Sequence, residues 1–300
     1  MASIICGSLA IDTILIFEGN FGDQILPDQI HKLNVSFFTP SMRREYGGCA
    51  GNIAYGLKQL GGTPLPMAAV GGDARDYLER LKAMGMDTRL VMVRPDNYTA
   101  LCTILTDKHN NQINGFHPGA MNEAHLNVLN PQADAKIGII SPDGREAMWT
   151  HAHQFKAAGI PFVFDPGQQL PMFNGEEHRA LIELADYVTV NDYEGAMLSE
   201  RTGWSLMEIS EHVKGLIVTL GEHGCDVWVK GQKTTVPPVK ATAVVDPTGC
   251  GDAFRAALLY GIENGWDLVR ACALGNKIGA IKIAHRGGQN YTLNHAELAL

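Results

Sequence analysis

Short apolar, β-branched runs alternate along this chain with longer stretches whose apolar residues recur at helical spacing. The runs Leu65–Val70, Ile137–Ile140, Pro161–Phe164, Tyr187–Val190 and Leu216–Leu220 predict buried strands. Between them, Ala50–Leu60, Asp73–Met84, Arg145–Ala158, His178–Leu184 and Tyr193–Thr202 predict helices, each followed by a turn or strand signal. Strands alternating with helices are joined by crossovers, and crossovers join parallel neighbours. The predicted class is therefore α/β, with a mainly parallel sheet flanked by helices. The opening run Ser3–Ile11 has no basic flank and is closed by Asp12, which makes it a buried first strand rather than a secretory leader.

The last third changes character. Cys225–Val229 and Lys233–Val236 flank Lys230-Gly231-Gln232, a hairpin signal that predicts an antiparallel edge, and helical stretches follow at Gly251–Asn264 and Leu268–Ala284. Two segments, at about 13–44 and 97–116, carry strand-like pieces (Ile14–Phe17, Leu33–Val35, Leu101–Leu105) with no helix between them. They predict a small β lid over a site. No repeat or low-complexity linker divides the chain, so residues 1–300 are expected to form one domain with the lid built from insertions.

Composition narrows the chemistry. A net charge of -8, with Lys and Arg scattered, offers no footprint for a nucleic acid, and a small polar substrate fits better. The six cysteines lack any C-x-x-C pair or nearby ligating histidine, which points to reduced thiols in a cytosolic protein and away from structural zinc. No apolar stretch approaches the ~20 residues of a membrane helix. In that setting the N-x-S/T triplets at Asn34, Asn97 and Asn290 are coincidental. His151 and His153, without acid or cysteine in ligand spacing, are assigned to a solvated helix face.

The strongest chemical signal is Val245-Asp246-Pro247-Thr248-Gly249-Cys250-Gly251-Asp252-Ala253-Phe254, a glycine-rich turn entering a helix with an acid in its first turn. The first amides of a helix have no intrahelical acceptor, and glycines let a phosphoryl group approach them closely. An acid beside such an anion site can accept the proton of an attacking hydroxyl, as Asp252 would. Helix capping is the other reading of the same acid.

The run Asp246–Asp252 resembles the D-T-x-G-A-G-D signature of the PfkB carbohydrate and nucleoside kinases, and Gly47–Ala54 resembles their second signature. Likeness extends to Gly7 with Asp12, Val70–Asp73, Asn191–Glu194, Thr219–Gly224 and the tail around Asn276. The resemblance implies a doubly wound, ribokinase-like sheet with a β lid, and Asp252 as catalytic base with the amides of Gly249, Cys250 and Gly251 as anion hole. It also implies ATP held by Asn191, Thr219, Gly221, Glu222, Gly224 and Asn276, and Mg²⁺ ordered by Asn191 and Glu194. On the acceptor side it implies a sugar gripped by Asp12, Gly47, Gly48 and Asn52. Activation by K⁺ would run through carbonyls around Asp246 and the loop Arg286-Gly287-Gly288. Pro247 and Cys250 depart from the usual Thr and Ala, yet neither removes Asp252 or Gly251.

Lid aromatics Phe17, Phe21, Phe37, Phe38 and Phe116 exceed what a bare sugar needs and favour a flat purine. Segments 111–121, with Gln112 and Phe116, and 164–171 are similar to prokaryotic nucleoside kinases of adenosine or broad specificity. The expected activity is ATP-dependent phosphorylation of a nucleoside 5′-hydroxyl, adenosine foremost, with a sugar kinase as the alternative and a non-catalytic binder behind it. No G-x-G-x-x-G follows the first strand and no Walker motif is present, which argues against dehydrogenases and P-loop enzymes. Monomer and homodimer stay open.

Overall fold

Gly7-Ser8-Leu9 interrupts the opening apolar run and divides the protein into two sheets. In the computed structural model, which describes residues 2–109, 111–130 and 135–298, β1 covers Ala2–Cys6 and β2 covers Ala10–Ile16. The single strand expected over Ser3–Ile11 is thus two, because the chain turns there so that the Ser8 carbonyl can accept from the Ala50 amide. β1 enters the large sheet and β2 the lid.

Later strands are β3 (Ser41–Gly47), β4 (Pro64–Gly71), β5 (Val91–Arg94), β6 (Ala100–Thr106), β7 (Gln112–His117), β8 (Ala135–Ile140) and β9 (Phe162–Phe164). β10 (Tyr187–Asn191), β11 (Gly215–Thr219), β12 (Cys225–Val229) and β13 (Gln232–Val236) follow. The large sheet has nine strands in the order β13-β12-β11-β10-β9-β8-β1-β4-β5. Pairing is parallel from β5 to β11, and β12 and β13 add the expected antiparallel edge.

Side chains along the buried strands alternate between two cores, as strand geometry requires. In β1, Ile5 belongs to one core while Ile4 and Cys6 belong to the other. Helices α1 (Cys49–Gln59), α2 (Arg75–Ala83), α7 (Cys250–Glu263) and α8 (Leu268–Lys282) fill the first with Ile53, Leu81, Leu258 and Ile278. Helices α3 (Arg145–Ala158), α4 (Gly175–Leu184), α5 (Asp192–Thr202) and α6 (Leu206–His212) fill the second with Phe155, Leu181, Leu198 and Ile209. Phe155 is fully buried with its ring 5.5 Å from Phe162, and truncating such an aromatic costs about 3–5 kcal/mol. The chain ends its described part in α9 (His295–Leu298).

The lid is a four-stranded sheet, order β3-β2-β6-β7. Its central pair β2 and β6 is parallel, with Ala10 opposite Ala100. Leu33–Val35, expected as a strand, has no regular structure, and the second strand lies instead at Ser41–Gly47. That strand is rich in charge (Arg43, Arg44, Glu45) because its outer face meets solvent, and apolar periodicity therefore missed it. Residue 110, inside the second lid segment, lies outside the described residues.

Of the two histidines expected on a solvated face, His153 is exposed but His151 is buried, with Nε2 3.0 Å from the Asn127 carbonyl. Two residues apart on a helix, they point to different sides.

Candidate active site

A cavity of about 630 Å³ opens where the parallel strands end. Its floor comes from residues at or just past the carboxyl ends of β1 (Ser8), β8 (Pro142), β9 (Asp165), β10 (Asn191) and β11 (Thr219), and its roof from the lid. Ligands collect at this edge of a parallel sheet because loops there are free to vary while the strands hold them. A second cavity of about 520 Å³ lies under the lid, and Asp12 and Thr248 line both.

Gly249 caps α7 in a left-handed conformation (φ 78°), which aims the following turn at the cavity. The Cys250 amide, expected in the anion hole, donates instead to the Pro247 carbonyl at 3.1 Å. Among the described residues, the Gly251 and Asp252 amides of this first turn have no acceptor within the protein, and neither has the expected Gly249 amide before them.

Asp252 is half-buried on that first turn and is wired rather than loose. The Asn52 side-chain amide donates to Asp252 Oδ2 at 2.8 Å, Gln289 Nε2 donates to Asn52 Oδ1 at 3.2 Å and to Tyr77 Oη at 2.6 Å, and Tyr77 Oη donates to the Gly47 carbonyl at 2.7 Å. Asn52, expected against the sugar, has its amide engaged with Asp252 and the C-terminal loop. Burial raises the Asp252 carboxyl above its ordinary value, while Asn52, Arg255 and Lys282 work to lower it.

Arg255, one turn further into α7, is buried and forms an ion pair with Asp165 through Nε, and its Nη2 donates to Asp165 Oδ1 at 2.6 Å. Burial pushes Asp165 up to about 6 even with the guanidinium beside it. A side chain at Gly251 would bring its Cβ within 2.7 Å of Arg255 Nη1, so position 251 is closed to larger residues from below as well as open to a ligand from above.

On the lid, Asp12 is the third residue of β2, not a strand terminus, and it lies opposite Glu45 and Cys102. Its carboxyl is pushed up to about 6, by burial first and then by Glu45 and Asp246. Gly47 lies against the Asp12 carboxylate and Gly48 caps α1 with φ 84°. Phe116 lines the main cavity, whereas Gln112 lines the second one. Phe17, Phe21 and Phe37 pack on one another at 5.0–6.1 Å and Phe38 is 83 % exposed, so those four do not line the main cavity.

On the far wall, Asn191, Thr219 and Gly221 reach the cavity. Glu222 is exposed, 4.0 Å from His223, Gly224 turns the chain into β12, and Asn276 ties Pro237 at 2.9 Å; none of the three lines the cavity. Asn191 and Glu194 cap α5 reciprocally: Asn191 Oδ1 accepts from the Glu194 amide at 2.7 Å and Glu194 Oε2 from the Asn191 amide at 2.8 Å. That leaves Glu194 Oε1 as the carboxylate oxygen available to a hydrated metal. Among the described residues no group of three or more His, Cys, Asp or Glu is placed to hold a metal alone.

The carbonyls expected to hold K⁺ fit it poorly. Lys282, fully buried, donates from Nζ to the Asp246 carbonyl at 2.8 Å and to the His285 carbonyl at 3.1 Å. Arg255, Gln289 and Lys282 went unread in the sequence, and Asp165 was read only as part of segment 164–171. Arg255 had a signal, three residues after Asp252 on the same helix, and so did Lys282, four residues after apolar Ile278 on a buried stripe. Gln289 had none, because its partners lie across the fold.

An acid on the first turn of a helix, free amides beside it and a second acid across the cavity are the arrangement of a phosphotransferase that acts on an alcohol. The chain belongs to the PfkB family of carbohydrate kinases, whose model matches residues 20–295. The nucleoside kinase of Burkholderia thailandensis, solved in complex with inosine, superposes with a TM-score of 0.88 at 49 % identity, covering 99 % of this chain and 95 % of that one. Its complex with ADP-inosine gives 0.86 at 50 %, covering 99 % and 93 %. A nucleoside kinase of Methanocaldococcus jannaschii is 34 % identical over 85 % of each chain, and fructokinase-2 of rice is 28 % identical over 80 % of each.

Proposed function

We propose that this chain transfers the terminal phosphoryl group of ATP to the 5′-hydroxyl of a purine nucleoside, with adenosine as the first candidate. The observation that carries the reading is one cavity with Asp252 and two free amides on one wall and Asp12, Phe116 and Ile104 on the other. Asp12 offers two acceptors to vicinal ribose hydroxyls, and Phe116 offers a face on which a base can stack. Relatives that act on nucleosides support the acceptor class, and the fructokinase relative keeps a bare sugar as the second reading.

In the transfer, the 5′-oxygen forms a bond to the γ-phosphorus as the bond to the bridging oxygen of ADP breaks, and the hydroxyl proton passes to Asp252. Oδ2 is held by Asn52, which leaves Oδ1 to take the proton. The Gly251 and Asp252 amides face the charge that builds on the phosphoryl oxygens. Mg²⁺ arriving with the nucleotide would neutralise phosphate charge, with Glu194 Oε1 ordering its water shell. The six cysteines are free thiols, which suits a reducing cytosol.

An ADP-release screen with adenosine, inosine, guanosine, cytidine, ribose and fructose tests the acceptor. Turnover fastest with a purine nucleoside, and product phosphorylated at O5′ by ³¹P NMR, is the expected result. Rapid use of ribose or fructose while the nucleosides stay inert would overturn the acceptor and leave the role of Asp252 standing.

A further inference from the structure

The two loops that meet behind the anion site are tied together by charge. Residues 245–249 lead into α7, and residues 283–288 leave α8. The Val245 and Asp246 amides donate to the Ile283 carbonyl at 2.8 and 3.0 Å, and the Gly287 amide donates to Asp246 Oδ2 at 2.8 Å. Asp246 Oδ1 in turn accepts from the Thr248 amide at 2.9 Å. Between these loops sits the Lys282 ammonium, 0 % exposed, with the Asp246 and His285 carbonyls as acceptors at 2.8 and 3.1 Å.

An ammonium and a K⁺ ion carry the same charge and are close in size, and both are satisfied by carbonyl oxygens. One cannot enter where the other is held. We infer that Lys282 is a built-in monovalent cation: its ammonium takes the place between the Asp246 and His285 carbonyls, so the transferase needs no K⁺ from solution. The inference rests on the kinase reading for its rate measurements, but not for its binding measurement.

The arrangement says how the lysine acts. It does not touch the phosphoryl group and is a positioning residue, fixing the turn that presents Gly249 to Asp252 and adding positive potential behind it. Burial lowers the Lys282 ammonium below its ordinary value, and the groups that face it, the Cys250 thiol and the acids Asp246 and Asp252, offset this in favour of the charged form. Lys282 in return favours the ionised form of Asp252. A buried ammonium has to be hydrogen-bonded, and the two carbonyls that satisfy this one belong to the loops behind the anion site, which places its charge there.

The test compares the full-length protein with Lys282→Ala, which empties the space, and Lys282→Met, which fills it without charge. Rates with the best acceptor are read in KCl, NH₄Cl, NaCl and tetramethylammonium chloride at equal ionic strength, and melting temperatures are read in the same salts without substrates. Wild-type rate and melting temperature should be the same in all four. Lys282→Ala should lose roughly 10- to 150-fold in kcat, the range for one charge-assisted hydrogen-bonded group, and regain much of it, with a higher melting temperature, in NH₄⁺ or K⁺. Lys282→Met should lose as much and regain nothing. Saturable activation or thermal stabilisation of the wild type by K⁺ would overturn the inference, and this needs neither variant to fold. So would a Lys282→Ala protein as active as wild type without K⁺, or one that no cation restores in rate or melting. Should no acceptor turn over, the kinase reading fails and the melting series alone decides the cation question.

Discussion

Replacing Asn52 by leucine removes the amide that donates to Asp252 Oδ2 at 2.8 Å while keeping a side chain of nearly the same size. Gln289 keeps its bond to Tyr77 at 2.6 Å, so the surrounding chain has reason to stay in place. A hydrogen bond to a charged group contributes about 1.5–3 kcal/mol, so kcat should fall roughly 10- to 150-fold if that bond aims the base in the transition state. A second effect has a definite sign. Asn52 works to lower the Asp252 carboxyl, whose net shift is upward, and its loss raises the carboxyl further. A general base acts ionised, so with Asp252 in that role activity present at high pH is lost as pH falls through its pKa, and the acid limb of the kcat profile should move to higher pH. The assay is kcat and acceptor KM against pH for wild type, Asn52→Leu, Asp252→Asn and the double variant. With Asp252 already replaced, the Asn52 change should cost little more. An unchanged kcat with a raised acceptor KM would refute the reasoning and return Asn52 to the ribose, as the glycine-rich signature alone implies.

Three other outcomes are expected. Asp252→Asn should lower kcat by roughly 10²- to 10⁴-fold with ATP and acceptor binding retained by calorimetry, and near-full turnover would remove Asp252 as the base. Asp12, with its carboxyl raised from 3.8 to about 6, holds its proton more tightly folded than unfolded, so stability of the ligand-free protein should fall as pH rises from about 4 through 6. Asp12→Asn should flatten that fall in thermal melts while abolishing use of every acceptor; a profile identical to wild type would mean that the carboxyl is not perturbed. Glu194→Ala breaks the α5 cap and should lower stability by about 1 kcal/mol, and it should also raise the Mg²⁺ concentration for half-maximal rate. A cap loss without any change in the Mg²⁺ titration would confine Glu194 to helix structure.

Much of the large sheet was legible because its strands are buried on both faces and read as unbroken apolar runs, as Leu65–Val70 and Leu216–Leu220 do. The lid was legible only in outline, since half-exposed strands such as Ser41–Gly47 carry charge where a pattern search looks for apolar residues. Helix α6 was missed although Ser205 and Glu208 spell out its capping box, because seven residues are too few for periodicity to show. At the site, the local motif placed Gly249 beside Asp252, since residues near each other in sequence keep their spacing in the fold, and Asp12 joined them in one cavity only through the family resemblance. What depends on distant pairing escaped that motif. Asn52 reads as a sugar ligand until Gln289 is seen beside it, and the K⁺ expectation stands until Lys282 is seen between the carbonyls.

The parallel pairing of β2 with β6 has a consequence for how the chain assembles. Ala10 waits for Ala100, and Ile16 for Thr106, so the centre of the lid closes only after the whole β4–α2–β5 stretch has been made. Contacts this far apart in sequence form slowly, because the loop between them must first be ordered. During synthesis β2 can pair with β3 alone, leaving its other edge with Ile14 and Ile16 open to any extended chain nearby. Arg43, Arg44 and Glu45 on β3 put charge along the opposite side of that early ribbon, which keeps two such nascent ribbons from stacking edge to edge. The lid is therefore exposed to misassembly, and a variant that neutralised Arg44, which lines neither cavity, would show it first as lost soluble yield rather than as lost activity per folded molecule.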